Sequence, residues 1–165
     1  MIVKWTLDGL IDAGFTGFVR FSELPTAQVP TDPGMYVVIR VAETDPEFLQ
    51  QSPAGWFKGK DPSVPVSTLE AAWVPGSSVV YLGKANGGAT GRRGLRKRLD
   101  EYRRHGADEP VGHWGGRYIW QLADSEKLVV GWKPTAATNA RTLERQMIAE
   151  FSSDHAERPF ANLTG

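Results

Sequence analysis

Two short apolar runs, residues 34–41 (GMYVVIRV) and 78–83 (SVVYLG), are bounded by proline, glycine and serine and limit what this chain can become. Such runs, rich in β-branched residues and closed by turn formers, read as buried strands and are too short for core helices. Buried strands need apolar cover on both faces, and amphipathic stretches supply it. In residues 93–104, Leu95, Leu99 and Tyr102 recur at i, i+4 and i+7, an apolar stripe of helical period. In residues 137–151, Leu143, Met147, Ile148 and Phe151 do the same.

Further elements are expected as helices over 6–13, 44–51 and 68–73 and strands over 17–21, 117–122 and 127–133. Strands and helices mix without strict β-α-β alternation, which predicts an α+β fold rather than a doubly wound one. With 165 residues, 41% of them hydrophobic, the chain suits one compact domain with a real core. Within it, residues 1–33 read as an N-terminal extension and 34–162 as the main unit, interrupted by an insertion over 42–77. No cysteine is present, which removes disulfide scaffolds, CxxC zinc sites and thiol nucleophiles. No signal-peptide core and no run long enough to span a bilayer are visible, so a cytoplasmic protein with no membrane partner is expected.

Charge is balanced overall, 19 basic against 19 acidic side chains, but unevenly distributed. Residues 84–104 hold 8 basic and 2 acidic groups and carry the whole positive excess. A stripe of this kind is either a solvated helix face or a surface that attracts phosphates. Its members Arg92, Arg93, Arg96, Lys97, Arg103 and Arg104, with Lys58 and Lys60 of the insertion, are the candidate nucleic-acid contacts. Trp56, Phe57 and Trp73 lie among the insertion's charges and would either stack on bases or cap a core.

Two charged residues fall where apolar ones belong. Arg98 takes the missing i+3 position of the Leu95–Leu99–Tyr102 stripe, and Glu144 falls near the middle of the last helix's apolar face. A carboxylate directed into a core costs several kcal/mol unless paired, protonated or metal-bound. The two residues therefore form a structural ion pair or share a functional polar site.

Familiar motifs fail. GKANGGATGRRG lacks the leading glycine and the Lys-Ser/Thr of a phosphate loop, and it lacks the first glycine of GxGxxG. His105, His113 and His155 show no HExxH or HxxxH spacing and read as surface or hydrogen-bonded residues.

Taken in order, Gly34-Met35-Tyr36, Tyr81-Leu82-Gly83-Lys84, Leu95-Arg96-Lys97-Arg98-Leu99 with Tyr102, Leu143-Glu144, and Arg158-Pro159-Phe160-Ala161-Asn162 resemble the GIY-YIG nuclease core. The last of these blocks resembles the RPxxN ending of the nuclease module of bacterial excision-repair enzymes. The resemblance implies a central antiparallel sheet of about three strands flanked by helices, and metal-dependent endonucleolytic cleavage of DNA. It implies catalytic roles for Tyr36, Tyr81, Lys84, Arg98, Glu144 and Asn162. Glu144 would hold one Mg²⁺ or Mn²⁺, the tyrosines would activate water, and Arg98 would offset charge on the phosphate. Which tyrosine is the base stays open, and Asn162 is expected to orient rather than react. The insertion and the extended glycine-rich loop depart from the family pattern. A silent nucleic-acid-binding module and an RNA-directed nuclease or toxin are the alternatives. With no separate DNA-binding domain recognisable, a partner protein or a dimer would supply specificity.

Overall fold

A computed structural model describes residues 5–86 and 93–163. The glycine-rich turn over 87–91 and Arg92 lie outside the described residues. The chain is α+β, with one four-stranded antiparallel sheet flanked by helices. Helix α1 (Leu7–Asp12) leads to β1 (Thr16–Arg20), then β2 (Gly34–Ile39), α2 (Val66–Ala72) and β3 (Val79–Ala85). Helix α3 (Leu95–Gly106), β4 (Val129–Pro134) and α4 (Ala137–His155) follow. The strand order is β1-β4-β2-β3, and every neighbouring pair is antiparallel.

All six residues of β2 are buried, as expected of an inner strand covered on both faces. Tyr36, Val38, Tyr81, Val130 and Trp132 face a core completed by Leu95, Leu99 and Tyr102 of α3. Met35, Val37, Ile39 and Leu82 face the other core with Leu10, Phe15, Met147, Ile148 and Phe151. The N-terminal residues belong to this architecture. β1 pairs with β4, Trp5 packs edge-on against Phe151 at 5.2 Å, and its indole N–H donates to Asp154 at 2.9 Å.

Two expected elements are absent. The helix expected over 44–51 does not form. Arg40 donates to the carbonyls of Ala42 (3.3 Å) and Thr44 (2.7 Å), which holds the backbone otherwise. The strand expected over 117–122 is instead a 3₁₀ segment, Trp114–Gln121. Ile119, Trp120, Gln121 and Leu122 are all buried in succession, which a strand with one covered face cannot arrange. The insertion takes up the polar groups there. Gln121 donates to the carbonyls of Leu49 and Val64, both at 3.0 Å, and accepts from the Val64 N–H at 2.8 Å.

Of the insertion's aromatics, Trp73 takes the core-capping role and Trp56 stays outside the core. Trp73 joins Phe48 and Phe160 in a packed trio, with centroids 5.1 Å apart for Trp73–Phe160. Trp56 is 57% exposed. It precedes a tight reversal in which Phe57 and Lys60 exchange both backbone hydrogen bonds, with Lys58 and Gly59 at φ +52° and +74°. Among the described residues no helix is long and apolar enough to cross a membrane.

Candidate active site

At the end of the edge strand β3, residues from four segments line a cleft of about 360 Å³: Tyr36, Tyr81, Lys84, Arg93, Arg98 and Glu144, with Ala85 and Asn86. Strand register accounts for the tyrosines. Tyr36 lies opposite Gly83 and Tyr81 opposite Val38, which puts both phenols on one sheet face with ring centroids 6.1 Å apart. The glycines are steric requirements. A Cβ at Gly83 would fall 2.3 Å from Tyr36 Cζ, and one at Gly34 would fall 2.3 Å from the Lys133 carbonyl oxygen.

Glu144 does not enter the core. Its side chain keeps 18% exposure at the cleft and accepts from Lys84 Nζ at 3.0 Å. The expected alternative of a structural Arg98–Glu144 pair is therefore replaced by a Lys84–Glu144 pair. Helical periodicity locates Glu144 on the inward face, but β3 is an edge strand, and there the inward face opens to solvent. Arg98 donates from Nη1 to the Gly112 carbonyl at 2.6 Å and lies 3.6 Å from Glu101. Glu101, which sequence reasoning missed, also holds Arg93 through both carboxylate oxygens, at 2.9 and 2.8 Å.

Burial dominates the tyrosine chemistry. It pushes the Tyr36 phenol well above its usual range, helped by Tyr81 and opposed by Arg98. Tyr81 is pushed up to about 12 by the same burial, with Arg98 pulling the other way. A free phenolate is thus costly at either position near neutral pH.

The second residue that the sequence did not flag is His113. It is fully buried, its Nε2 lies 2.5 Å from the Tyr36 hydroxyl, and its ring stacks on Tyr102 at 3.5 Å and 5°. Burial holds its pKa well below the ordinary histidine value, so it is neutral. The expected surface or hydrogen-bonded histidine is hydrogen-bonded, but within the core. His105 departs from that expectation altogether, since it is buried and neither ring nitrogen has a hydrogen-bond partner among the described residues. No local spacing betrays His113, because the contact depends on the fold of a loop 77 positions from Tyr36.

Asn162 does not line the cleft. Its carboxamide accepts from the Leu82 N–H at 3.0 Å and donates to the Leu82 carbonyl at 2.8 Å, pairing the open edge of β3 next to Tyr81.

Several of the described basic residues are held by partners of their own. Arg103 is paired with Asp100 at 2.7 Å and Arg104 with Glu109 at 2.9 Å, while Arg96 donates to the Val29 carbonyl at 3.0 Å. Lys97 has no ion-pair partner among the described residues and borders a separate groove with Leu24 and Val29. Lys58 and Lys60 are exposed on the insertion's reversal. That reversal packs through Phe57 against Gly112, whose Cβ, were there one, would lie 3.2 Å from the ring.

Among the described residues no group of three or more His, Asp or Glu could by itself hold a metal. The cleft offers one carboxylate and two phenols against three cations. This hard-oxygen set does not attract an isolated divalent cation, but it fits one shared with a phosphate and water. No family model, no curated protein and no solved structure matches this chain.

Proposed function

We propose that the chain is a metal-dependent endonuclease that hydrolyses phosphodiester bonds in DNA. The observation that carries the reading is the convergence of Tyr36, Tyr81, Lys84, Arg98 and Glu144, drawn from β2, β3, α3 and α4, on one cleft. They are five of the six residues that the likeness to the GIY-YIG core singles out, Asn162 being bound instead to the edge of β3. The chemistry suits a phosphate. Arg98, anchored at one nitrogen by Gly112, presents its guanidinium to the cleft, where it binds phosphate oxygens and offsets their charge. Lys84 adds a second cation and Tyr36 and Tyr81 orient the water. Glu144 would hold one Mg²⁺ or Mn²⁺, which when bound stabilises charge on the phosphate.

The second reading is a phosphate-binding module without turnover. The Lys84–Glu144 contact at 3.0 Å favours it, because that pair accounts for the carboxylate without a metal. One experiment separates the two. Supercoiled plasmid, single-stranded DNA, a branched duplex and RNA are incubated with Mg²⁺, Mn²⁺ or EDTA, using wild type and Glu144→Ala. Metal-dependent cleavage that Glu144→Ala abolishes supports the nuclease, and the panel ranks DNA against RNA. Binding without cleavage, alike in both proteins, supports the module.

A further inference from the structure

We propose that the tight reversal over residues 56–60 is a stacking platform for an unpaired nucleobase, which makes single-stranded or branched nucleic acid, rather than continuous duplex, the substrate class. The inference rests on the reading of the cleft as a phosphodiester site and deepens it.

Trp56 is 57% exposed, whereas the other five tryptophans are buried or half-buried. The backbone imposes that exposure. Neighbouring side chains of an extended segment project to opposite sides, and Phe57 packs inward on Gly112, so Trp56 is turned outward. The support beneath it is pinned. The Gly55 N–H donates to the His105 carbonyl at 2.8 Å, and a Cβ on Gly55 would fall 2.2 Å from the Glu109 carbonyl oxygen. Phe57 and Lys60 then close the turn through two backbone hydrogen bonds, at 3.1 and 3.0 Å. An indole on so short a support loses little freedom when a ligand stacks on it.

The turn itself supplies a second, independent observation. Positive φ at both central residues, Lys58 and Gly59, is the pattern of a type I′ turn. Asparagine or aspartate suits the first of these positions, and a lysine is held there in the left-handed region at a cost. What the lysine brings is charge at the tip. Neither Lys58 nor Lys60 has an ion-pair partner among the described residues. Lys58 Nζ lies 5.2 Å from the Phe57 ring centroid, and the carboxylate of neighbouring Asp61 accepts from the Ser63 N–H at 2.9 Å. Two such ammonium groups beside an open indole match a nucleotide, whose base stacks while its flanking phosphates meet the cations. A base inside a duplex has both faces covered by its neighbours, so the indole is open only to an unpaired one.

Gly112 joins the platform to the cleft. The Phe57 ring packs on this glycine, and its carbonyl accepts from Arg98 Nη1 at 2.6 Å. The loop that supports the platform thus also fixes the arginine assigned to the phosphate.

Two measurements on the full chain test this. Binding is read in EDTA, independently of cleavage, with an oligothymidylate of about 12 nucleotides and with a blunt duplex. The single strand is expected to quench tryptophan emission in wild type but not in Trp56→Ala. Affinity for it should fall about 10-fold or more in the variant, whereas on the blunt duplex the two proteins should agree within about twofold. Lys58→Asn should keep or raise Tm, because asparagine suits the turn, and should lower the salt slope on the single strand by about 0.7. In single-turnover cleavage of the branched duplex with Mg²⁺, Trp56→Ala should need about 10-fold more protein for half-maximal rate, with the rate at saturation unchanged. Equal quenching and affinity in wild type and Trp56→Ala, or an equal loss on single strand and duplex, would overturn the platform and leave the nuclease to its Glu144→Ala control. A wild type whose quenching depends on Trp56 but that cuts nothing would overturn the nuclease reading, and the substrate class with it, leaving the platform as a binding site only.

Discussion

Replacing Gly83 with alanine adds one methyl group where the Tyr36 side chain leaves no room for it. The new Cβ would sit 2.3 Å from Tyr36 Cζ and 2.6 Å from both Cε2 and the hydroxyl oxygen. Real Cβ contacts do not come that close, so either the strand or the ring must move. The ring is not free to swing aside. It lies within 6.0–6.3 Å of the rings of Tyr81, Tyr102 and His113, and its hydroxyl is tied to His113. Overpacking of this sort costs about 1–3 kcal/mol. In a domain of this size each kcal/mol is about 2–4 °C of Tm, so differential scanning calorimetry should record a fall of roughly 2–12 °C. Displacing the hydroxyl by about 1 Å should also cost about 100-fold in cleavage rate. In a Tyr36→Leu background the stability penalty of Gly83→Ala should largely vanish, because the three nearest atoms all belong to the end of the Tyr36 side chain. Unchanged Tm and cleavage in Gly83→Ala would refute the claim that this glycine exists to seat Tyr36. An equal penalty in both backgrounds would refute it too, by pointing to the backbone.

Two further outcomes are expected. Burial, with Arg117 adding to it, lowers the His105 pKa to about 4, so between pH 6.5 and 4 the unfolded chain binds more protons than the folded one. Stability is then complete above about pH 6.5 and declines by up to about 3 kcal/mol as the pH falls to 4, with His113 acting in the same direction. Urea titrations should show His105→Leu with a flatter pH profile, and parallel profiles would refute the assignment. DNA binding should weaken linearly on a log–log plot against salt. Lys97→Ala should lower the slope by about 1, whereas Arg104→Ala, whose guanidinium is held by Glu109 at 2.9 Å, should change it less. Equal slopes for the two variants would show that the Arg104–Glu109 pair opens on binding.

Arg98 illustrates how far local reasoning reaches. The i+3 gap in its helix's stripe locates it beside the core, and the structure places it at the cleft with one nitrogen on Gly112. The same reasoning placed Glu144 inward and then went astray on its partner. Angular position on a helix is a local property, but the neighbour across the gap depends on strand order. Because β3 is the edge of the sheet, α4 meets Lys84 there and not Arg98.

The periodicities of 2 and 3.6 by themselves determined the core strands, the two long helices, the α+β class and, of the residues that face the cleft together, Arg98 and Glu144, whereas Tyr36, Tyr81 and Lys84 were singled out by the likeness to the nuclease core. Those features are written in neighbouring residues, since each apolar side chain must find the same buried face as the one two, three or four positions away. The tertiary structure alone decided the fate of residues outside such patterns. Residues 117–122 look like a strand until Gln121 is given the backbone of Leu49 and Val64 to bond. His113 looks like any loop histidine until the chain brings it beneath Tyr36. Contacts across 57 to 77 positions leave no periodic trace, because they are selected by the shape of the cavity to be filled.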